Sequence, residues 1–279
     1  MSDLPVSICI PVKNEEVNLP GCLAALGAFD EVVVVDSGST DGTVDLAHGA
    51  GATVLQFEWN GQFPKKRNWT LRNHRFKHPW VLFLDADERV NESFVAELRR
   101  TLTTTSHVGF WLSFTNWFMG APLRHGDVFH KLALIKTGAG EYERFPEDAW
   151  SRLDMEVHEH PVLSGTTGVL KTRLVHHDYR GLKNYLARHN EYSSWEANRF
   201  LWLQSAGPEA WATLTDRQRF KYRWMDRWWL AWLYWAVAVI LKRGFLDGLN
   251  GLRFGMLKRR YFGEIRLKIQ EAQRTGKPA

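Results

Sequence analysis

Two aspartates separated by one small residue, Asp85-Ala86-Asp87, close the apolar run Trp80-Val81-Leu82-Phe83-Leu84 and are followed by Glu88. In an extended chain alternate side chains share a face, so Asp85 and Asp87 would project to one side and Ala86 away from it. Two carboxylates held side by side repel unless a cation sits between them. A hard divalent ion carrying substrate phosphates suits that place, because Mg2+ usually takes only one or two protein carboxylates. The plainer role for the same residues is to cap the helix expected over Asn91 to Thr101.

Two further strand ends are polar. Val6 to Val12 reads as a strand running out into Pro11-Val12-Lys13-Asn14-Glu15-Glu16, and Glu31 to Asp36 as one ending in Asp36-Ser37-Gly38-Ser39-Thr40-Asp41-Gly42-Thr43. In open α/β sheets ligands bind outside the carboxyl ends of the strands, so three such ends facing one crevice make a nucleotide site. Asp36 could accept hydrogen bonds from a base or ribose, and the small residues after it let a ligand approach the backbone. Ser39, Thr40 and Asp41 also supply a tight turn and a helix cap, which explains them without a ligand. No G-x-G-x-x-G follows the first strand and no G-x-x-x-x-G-K-[ST] occurs, which argues against a dinucleotide dehydrogenase or P-loop NTPase.

The elements that must position these residues alternate. Strands are expected over Val6 to Val12, Glu31 to Asp36, Thr53 to Phe57 and Trp80 to Leu84, with helices over Leu19 to Phe29, Thr40 to Ala50 and Lys65 to Phe76. Strands separated by helices imply right-handed crossovers and a mostly parallel sheet covered on both faces, an α/β fold. Beyond Thr103, the stretches Val108 to Phe118, Val128 to Lys136 and Val162 to Val175 read as longer, more antiparallel strands. Helices take over from about Tyr179, so residues 1–178 are expected to form the nucleotide-binding and catalytic domain and 179–279 a helical region. Two cysteines, Cys9 and Cys22, exclude a disulfide framework or a cysteine zinc cluster and fit a reducing compartment. The N-terminus has no basic n-region and Pro5 to Val12 is too short for a signal segment, so a cytoplasmic location is expected.

Three motifs in register carry a family resemblance: Pro11-Val12-Lys13-Asn14-Glu15, Val35-Asp36-Ser37-Gly38-Ser39-Thr40-Asp41-Gly42-Thr43 and Leu84-Asp85-Ala86-Asp87-Glu88. In order and spacing they resemble the inverting family 2 glycosyltransferases of GT-A fold. The resemblance continues through Lys66-Arg67-Asn68, Val157-His158-Glu159, His176, Arg188-His189-Asn190-Glu191-Tyr192-Ser193 and Gly244-Phe245-Leu246-Asp247-Gly248. It is greatest to the bacterial branch that adds glucose to the inner core of lipopolysaccharide. Where that branch usually has an Arg-Leu-Phe run in a middle strand, this chain has Ala133-Leu134-Ile135.

The resemblance implies a UDP-sugar donor, a hexose as the sugar moved, and a metal, Mg2+ or Mn2+. It assigns the base to Asp36, with Pro11 and Glu15 lining the same pocket and Lys13 and Ser37 beside them. Arg67 would help to hold the nucleotide. Asp85 would contact ribose or metal next to Ala86, and Asp87 would ligate the metal that bridges the diphosphate. An inverting transfer also needs a carboxylate to take the proton of the attacking hydroxyl. Candidates cluster in Asp154-Met155-Glu156-Val157-His158-Glu159-His160, with Glu159 favoured by its Val-His-Glu setting and Glu156 and Asp154 as alternatives. His158-Glu159-His160 lacks the H-E-x-x-H spacing of a helical zinc site. His176 is the better metal candidate, as a neutral imidazole completing the site or contacting diphosphate.

The tail has its own character. From Arg217 to the end the chain has 15 lysines and arginines against four acids, and the whole carries a formal charge of +5. Between Arg227 and Lys242 lie 14 uncharged residues, Trp228 to Leu241, with four of the 14 tryptophans of the chain. As one helix this stretch would span roughly 21 Å, short of the roughly 30 Å hydrocarbon core. Trp228, Trp229, Trp232 and Trp235, flanked by Arg223, Arg227, Lys242 and Arg243, suit the headgroup interface of an anionic membrane. A peripheral or monotopic enzyme on the cytoplasmic face of the inner membrane is therefore expected, acting on a lipid-linked or lipopolysaccharide acceptor, with no nucleic acid as partner. Open alternatives are sugar transfer to polyprenyl phosphate, a sugar nucleotidyltransferase, a non-catalytic membrane scaffold, and a tail that packs on protein.

Overall fold

Four valines in succession fill the second strand, Val32–Asp36 (β2), and three of them are fully buried. That is the mark of a strand covered on both faces. A computed structural model of the 279-residue chain describes residues 4–147, 150–151, 153–156, 160–178 and 180–279. β2 pairs in parallel with Val6–Val12 (β1) and Thr53–Gln56 (β3), and β1 pairs in parallel with Trp80–Phe83 (β4). Helices Leu19–Ala24 (α1), Thr43–Gly49 (α2) and Lys66–Asn73 (α3) make the crossovers. The period of two sorts the core: Ile8, Ile10, Val34, Leu82 and Leu84 join one apolar cluster. Cys9, Val33, Val35, Val81 and Phe83 join the cluster on the opposite face. Registers Val12↔Asp36 and Cys9↔Phe83 bring the carboxyl ends of β1, β2 and β4 to one edge.

The next elements are Glu88–Arg89 (β5) and Glu92–Leu102 (α4), the latter capped by Asn91, whose side chain accepts the Phe94 N–H. Then come Gly109–Phe118 (β6), Ala121–Pro122 (β7), Phe129–Lys136 (β8), Gly140–Tyr142 (β9), Pro161–Leu163 (β10) and Thr167–His176 (β11). The main sheet runs β3-β2-β1-β4-β8-β6-β11-β5. β8 is antiparallel to both β4 and β6, as expected. The expected single strand Val162 to Val175 is instead two. β10 leaves to pair with β9, the chain turns at Ser164, whose N–H donates to Ala139 O at 2.8 Å, and β11 enters beside β6 in parallel. Apolar alternation reports burial but carries no strand direction, so the parallel pairing was not legible.

The described residues group into two units. One is drawn from Met1–Trp117, Val128–Asp148 and Arg152–Tyr179, and holds the sheet. The other is drawn from Phe118–Asp127, Ala149–Ser151 and Arg180–Ala279. Its helices are Gly181–Ser205 (α5), Pro208–Ala212 (α6), Asp216–Arg223 (α7), Trp228–Ala236 (α8) and Gly248–Thr275 (α9), around a core that includes Phe200, Leu203, Tyr222, Leu230, Ile265 and Ile269. The Trp-rich stretch is not one regular helix: α8 gives way to a π-helical turn, Val237–Leu241, and a 3-10 turn, Gly244–Asp247, before α9. α9 can start there because Gly251 has no Cβ; one would stand 1.9 Å from the Gly244 carbonyl oxygen. Among the described residues no single helix is long and apolar enough to cross a membrane, and Trp228–Leu241 and Gly244–Thr275 are bent by 71°.

Candidate active site

Asp36, 1% exposed at the end of β2, turns its carboxylate onto the loop that follows it. It accepts the Gly38 N–H at 3.1 Å, the Ser39 N–H at 3.1 Å and the Ser39 hydroxyl at 2.5 Å. Gly38 takes φ +76°, which is why a glycine stands there. Asn14 ties β1 to the same loop: its N–H donates to Ser39 Oγ and its Oδ1 accepts the Thr40 N–H, each at 2.8 Å. The Glu15 N–H donates to Thr43 Oγ1 at 2.8 Å and its carboxylate accepts Asn18 Nδ2 at 2.9 Å. Pro11 is buried within β1 and Lys13 is exposed just past it. The turn reading therefore holds, with Asp36 the acceptor that organises it and Asp41 accepting the Thr43 N–H at 3.1 Å, but the cap reading does not, because the N-cap of α2 is Gly42 with no side-chain cap.

α3 opens on buried polar side chains, Lys65, Lys66, Arg67 and Asn68, an arrangement that costs stability unless each is paired. Lys65 pairs with Glu147 at 2.5 Å. Lys66 Nζ donates to Val12 O at 2.8 Å and lies 3.3 Å from Asp154, whose other link is the Ser37 hydroxyl at 2.5 Å. Burial pulls the Asp154 carboxyl up, but Lys66 and Ser37 outweigh it and hold it ionised below the usual range. Glu156 accepts the backbone N–H groups of Arg67 at 2.9 Å and Asn68 at 3.0 Å, filling the orphan donors at the start of α3. It is 2% exposed, and burial raises its pKa. These contacts make Glu156 a helix cap and Asp154 an ion-pair partner, a different occupation from taking a proton off an acceptor. Glu159, with Val157 and His158, lies outside the described residues.

Arg67 carries the chain of contacts to the third strand end. Its NH1 donates to Glu156 O, and its NH2 donates to Asp85 Oδ1 at 2.7 Å. The expected extended chain at Asp85-Ala86-Asp87 is instead a turn, closed by the Glu88 N–H donating to Asp85 O at 2.9 Å. Each carboxylate has a cationic neighbour there. Asp85 meets Arg67 and also Lys131 Nζ at 3.1 Å. Burial would raise the Asp85 pKa, but Lys131 and Arg67 together lower it well below the carboxylate range. Asp87, 5% exposed, meets His176 Nε2 at 3.4 Å, and Asn116 Oδ1 holds the other ring nitrogen at 2.7 Å. Burial disfavours the charged ring, yet Asp87 reverses this and raises the His176 pKa to about 9. The expected neutral imidazole is thus an imidazolium while Asp87 is its partner.

Sequence reasoning missed Lys131, which also reaches both oxygens of Glu88 at 2.8 Å. Alternation along β8 could not have found it: the pairing with β6 slips between Leu134 and Leu132, and Ala133 and Ile135 join opposite core clusters. Glu88, fully buried, and Asn116 were also missed as site residues. Among the described residues no three His, Cys, Asp or Glu converge on one point. Asp87 and His176 offer one oxygen and one nitrogen. That set fits a hard cation that takes its remaining ligands from water and diphosphate, and does not fit one needing an all-protein cage. Asp85 is already neutralised by Arg67 and Lys131, so it is better suited to a neutral hydroxyl such as a ribose.

The model of glycosyl transferase family 2 matches residues 7–150. The lipopolysaccharide core biosynthesis glycosyltransferase LpsC of Rhizobium meliloti (strain 1021) is 29% identical over 204 residues, covering 70% of this chain and 71% of that protein. A TPR repeat-containing protein of Synechococcus elongatus is 37% identical over 106 residues, 38% of this chain, and the match spans only 26% of its length. Among solved structures, the mannosyltransferase PcManGT of Pyrobaculum calidifontis, in complex with GDP-Man and Mn2+, aligns over 96% of this chain and 87% of its own at a TM-score of 0.54. At 15% identity that likeness is one of fold, the mixed α/β GT-A arrangement.

Proposed function

The chain belongs to glycosyl transferase family 2, and on that premise we propose that it moves a hexose, with inversion, from a UDP-sugar to a hydroxyl of a lipid-linked or lipopolysaccharide-core acceptor at the cytoplasmic face of the inner membrane. One observation carries the donor half of this reading. A continuous run of contacts, Ser37–Asp154–Lys66 and then Arg67–Asp85–Lys131, links the carboxyl ends of β2, β1 and β4. Those strand ends are where an α/β sheet binds a nucleotide. The lipopolysaccharide half is supported by the likeness to LpsC. The membrane half is supported by the exposed apolar residues of the helical unit.

In the reaction the acceptor oxygen attacks the anomeric carbon, the bond from that carbon to the diphosphate oxygen breaks, and the hydroxyl proton passes to a carboxylate. Glu159 is our assignment for that base, since Glu156 caps α3 and Asp154 is bound by Lys66 and Ser37. Asp85 and Arg67 orient the nucleotide, and Asp87 with His176 would hold Mg2+ or Mn2+. Such an ion supplies neutralisation of the charge that builds on the departing nucleoside diphosphate. The test is a screen of nucleotide sugars with Mn2+ and truncated lipopolysaccharide-core acceptors, read by mass spectrometry of the acceptor. The reading requires a mass gain of one hexose with a UDP-sugar. Transfer to polyprenyl phosphate alone would overturn the acceptor, and transfer that persists fully in chelator would overturn the metal.

A further inference from the structure

The helical unit contains a cavity of about 260 Å3 that no step of sugar transfer uses. Four of its lining groups are charged: Asp127, Arg217, Lys242 and Lys258. The Asp127 carboxylate pairs with both Lys242 and Lys258, so three cations face one carboxylate. The lining therefore carries a net positive charge. Burial brings the Lys258 ammonium down to about 8, and burial, then Arg217, depress that of Lys242. The cavity is built rather than incidental. The Arg124 and His125 N–H groups donate to Asp247 at 3.1 and 2.8 Å, and the Gly126 N–H donates to Lys242 O at 2.9 Å.

Its other wall is apolar and leads outward. Leu233 and Val237 line it, and the π-helical turn that begins at Val237 carries on to Ile240 and Leu241, which are 58% and 75% exposed. A cationic cavity at the end of an exposed apolar strip is complementary to an amphiphile with an anionic head. A soluble sugar phosphate would leave the strip bare. We propose that this cavity binds the phosphate of an anionic membrane lipid, with its acyl chains along Leu233, Val237, Ile240 and Leu241. The proposal rests on the membrane-surface part of the proposed function and not on sugar transfer.

The experiment titrates the intact protein calorimetrically with dihexanoyl phosphatidic acid below its micelle concentration. Dihexanoyl phosphatidylcholine and inorganic phosphate are the comparison ligands. The wild type should bind the phosphatidic acid, and Arg217→Gln with Lys242→Gln should weaken it about tenfold or more. Arg223→Gln with Arg274→Gln removes the same charge from exposed positions outside the cavity and should change little. An equal loss in both pairs would reduce the effect to diffuse surface attraction and overturn the site. Inorganic phosphate displacing the lipid at matched concentration would overturn the lipid source. Phosphatidylcholine vesicles that contain anionic lipid separate the cavity from the membrane reading. If they bind while monomeric phosphatidic acid ignores the cavity pair, the cavity proposal falls and the membrane reading stands. If they do not bind while the monomer still depends on the cavity pair, the membrane reading falls and the cavity stands.

Discussion

Lys131 Nζ stands 3.1 Å from Asp85 Oδ2 and 2.8 Å from each oxygen of Glu88, so one ammonium serves two carboxylates joined by a tight turn. Burial raises the Glu88 pKa against the pull of Lys131, while Asp85 is held low by the same cation. The buried end of β4 therefore holds two neighbouring carboxylates in different charge states, with β8 supplying a shared counterion.

Lys131→Met should leave a buried Glu88 without its partner and cost about 3–5 kcal/mol of stability. Adding Glu88→Gln should recover much of that loss, because the amide needs no counterion. Denaturant unfolding of the two variants checks it. A single variant as stable as the wild type would mean that the pair contributes nothing.

Asp87→Asn keeps the shape of the turn and removes the carboxylate that pairs with His176. Transfer should fall about a hundredfold or more, with the melting temperature little changed. UDP affinity should lose its dependence on Mn2+, read by calorimetry with and without the ion. Wild-type turnover in chelated buffer would remove the metal from the mechanism.

Asp36→Ala removes the acceptor for the N–H groups of Gly38 and Ser39, so the loop should loosen as well as the nucleotide. A stability loss of about 1–3 kcal/mol is expected, with donor KM raised more than kcat is lowered. Asp36→Asn should fall between. Unchanged UDP affinity in a loosened loop would leave Asp36 a turn residue and nothing more.

Much of this was legible. The valine run, the period of two in β1 and β4, and the polar strand ends all follow from local chemistry, and they pointed to Asp36, Asp85 and Asp87; Arg67 came only from the family resemblance. The rest depended on tertiary neighbours. The turn at Asp85-Ala86-Asp87 looks like a strand end until Glu88 folds back on it. Lys131 lies 46 residues from Asp85, so no spacing rule connects them. Glu156 reads as a free acid because the N–H groups it caps belong to residues 88 and 89 positions earlier.

His176 should titrate near pH 9 in the metal-free protein, since Asp87 outweighs the burial that favours a neutral ring. A histidine raised in the folded state adds stability that is fully present below its ordinary value of about 6.5 and is lost as pH rises through the folded value. His176→Gln should flatten that part of the stability profile. NMR of the ring nitrogens checks the midpoint; one at or below the ordinary value would show that the pair with Asp87 does not form. Added Mn2+, competing for Asp87, should lower the midpoint.

The tryptophans of the tail divide by exposure, and the division predicts opposite results. Trp228, Trp232 and Leu241 are 67%, 46% and 75% exposed, whereas Trp229 packs against the helical core and the indole nitrogen of Trp235 is buried. Changing Trp228, Trp232 and Leu241 together to Ser should abolish binding to phosphatidylcholine vesicles that contain anionic lipid, because each exposed apolar side chain contributes about 1.5–3 kcal/mol when it inserts. The melting temperature should barely move, since these residues bury little in the protein itself. Trp229→Ser should do the reverse, costing about 2–3 kcal/mol of stability as a partly buried core aromatic. Vesicle flotation and thermal unfolding read the two effects separately. If the triple variant floats with vesicles as well as the wild type, the exposed strip is not the membrane contact, and an acceptor held in the bilayer is no longer required.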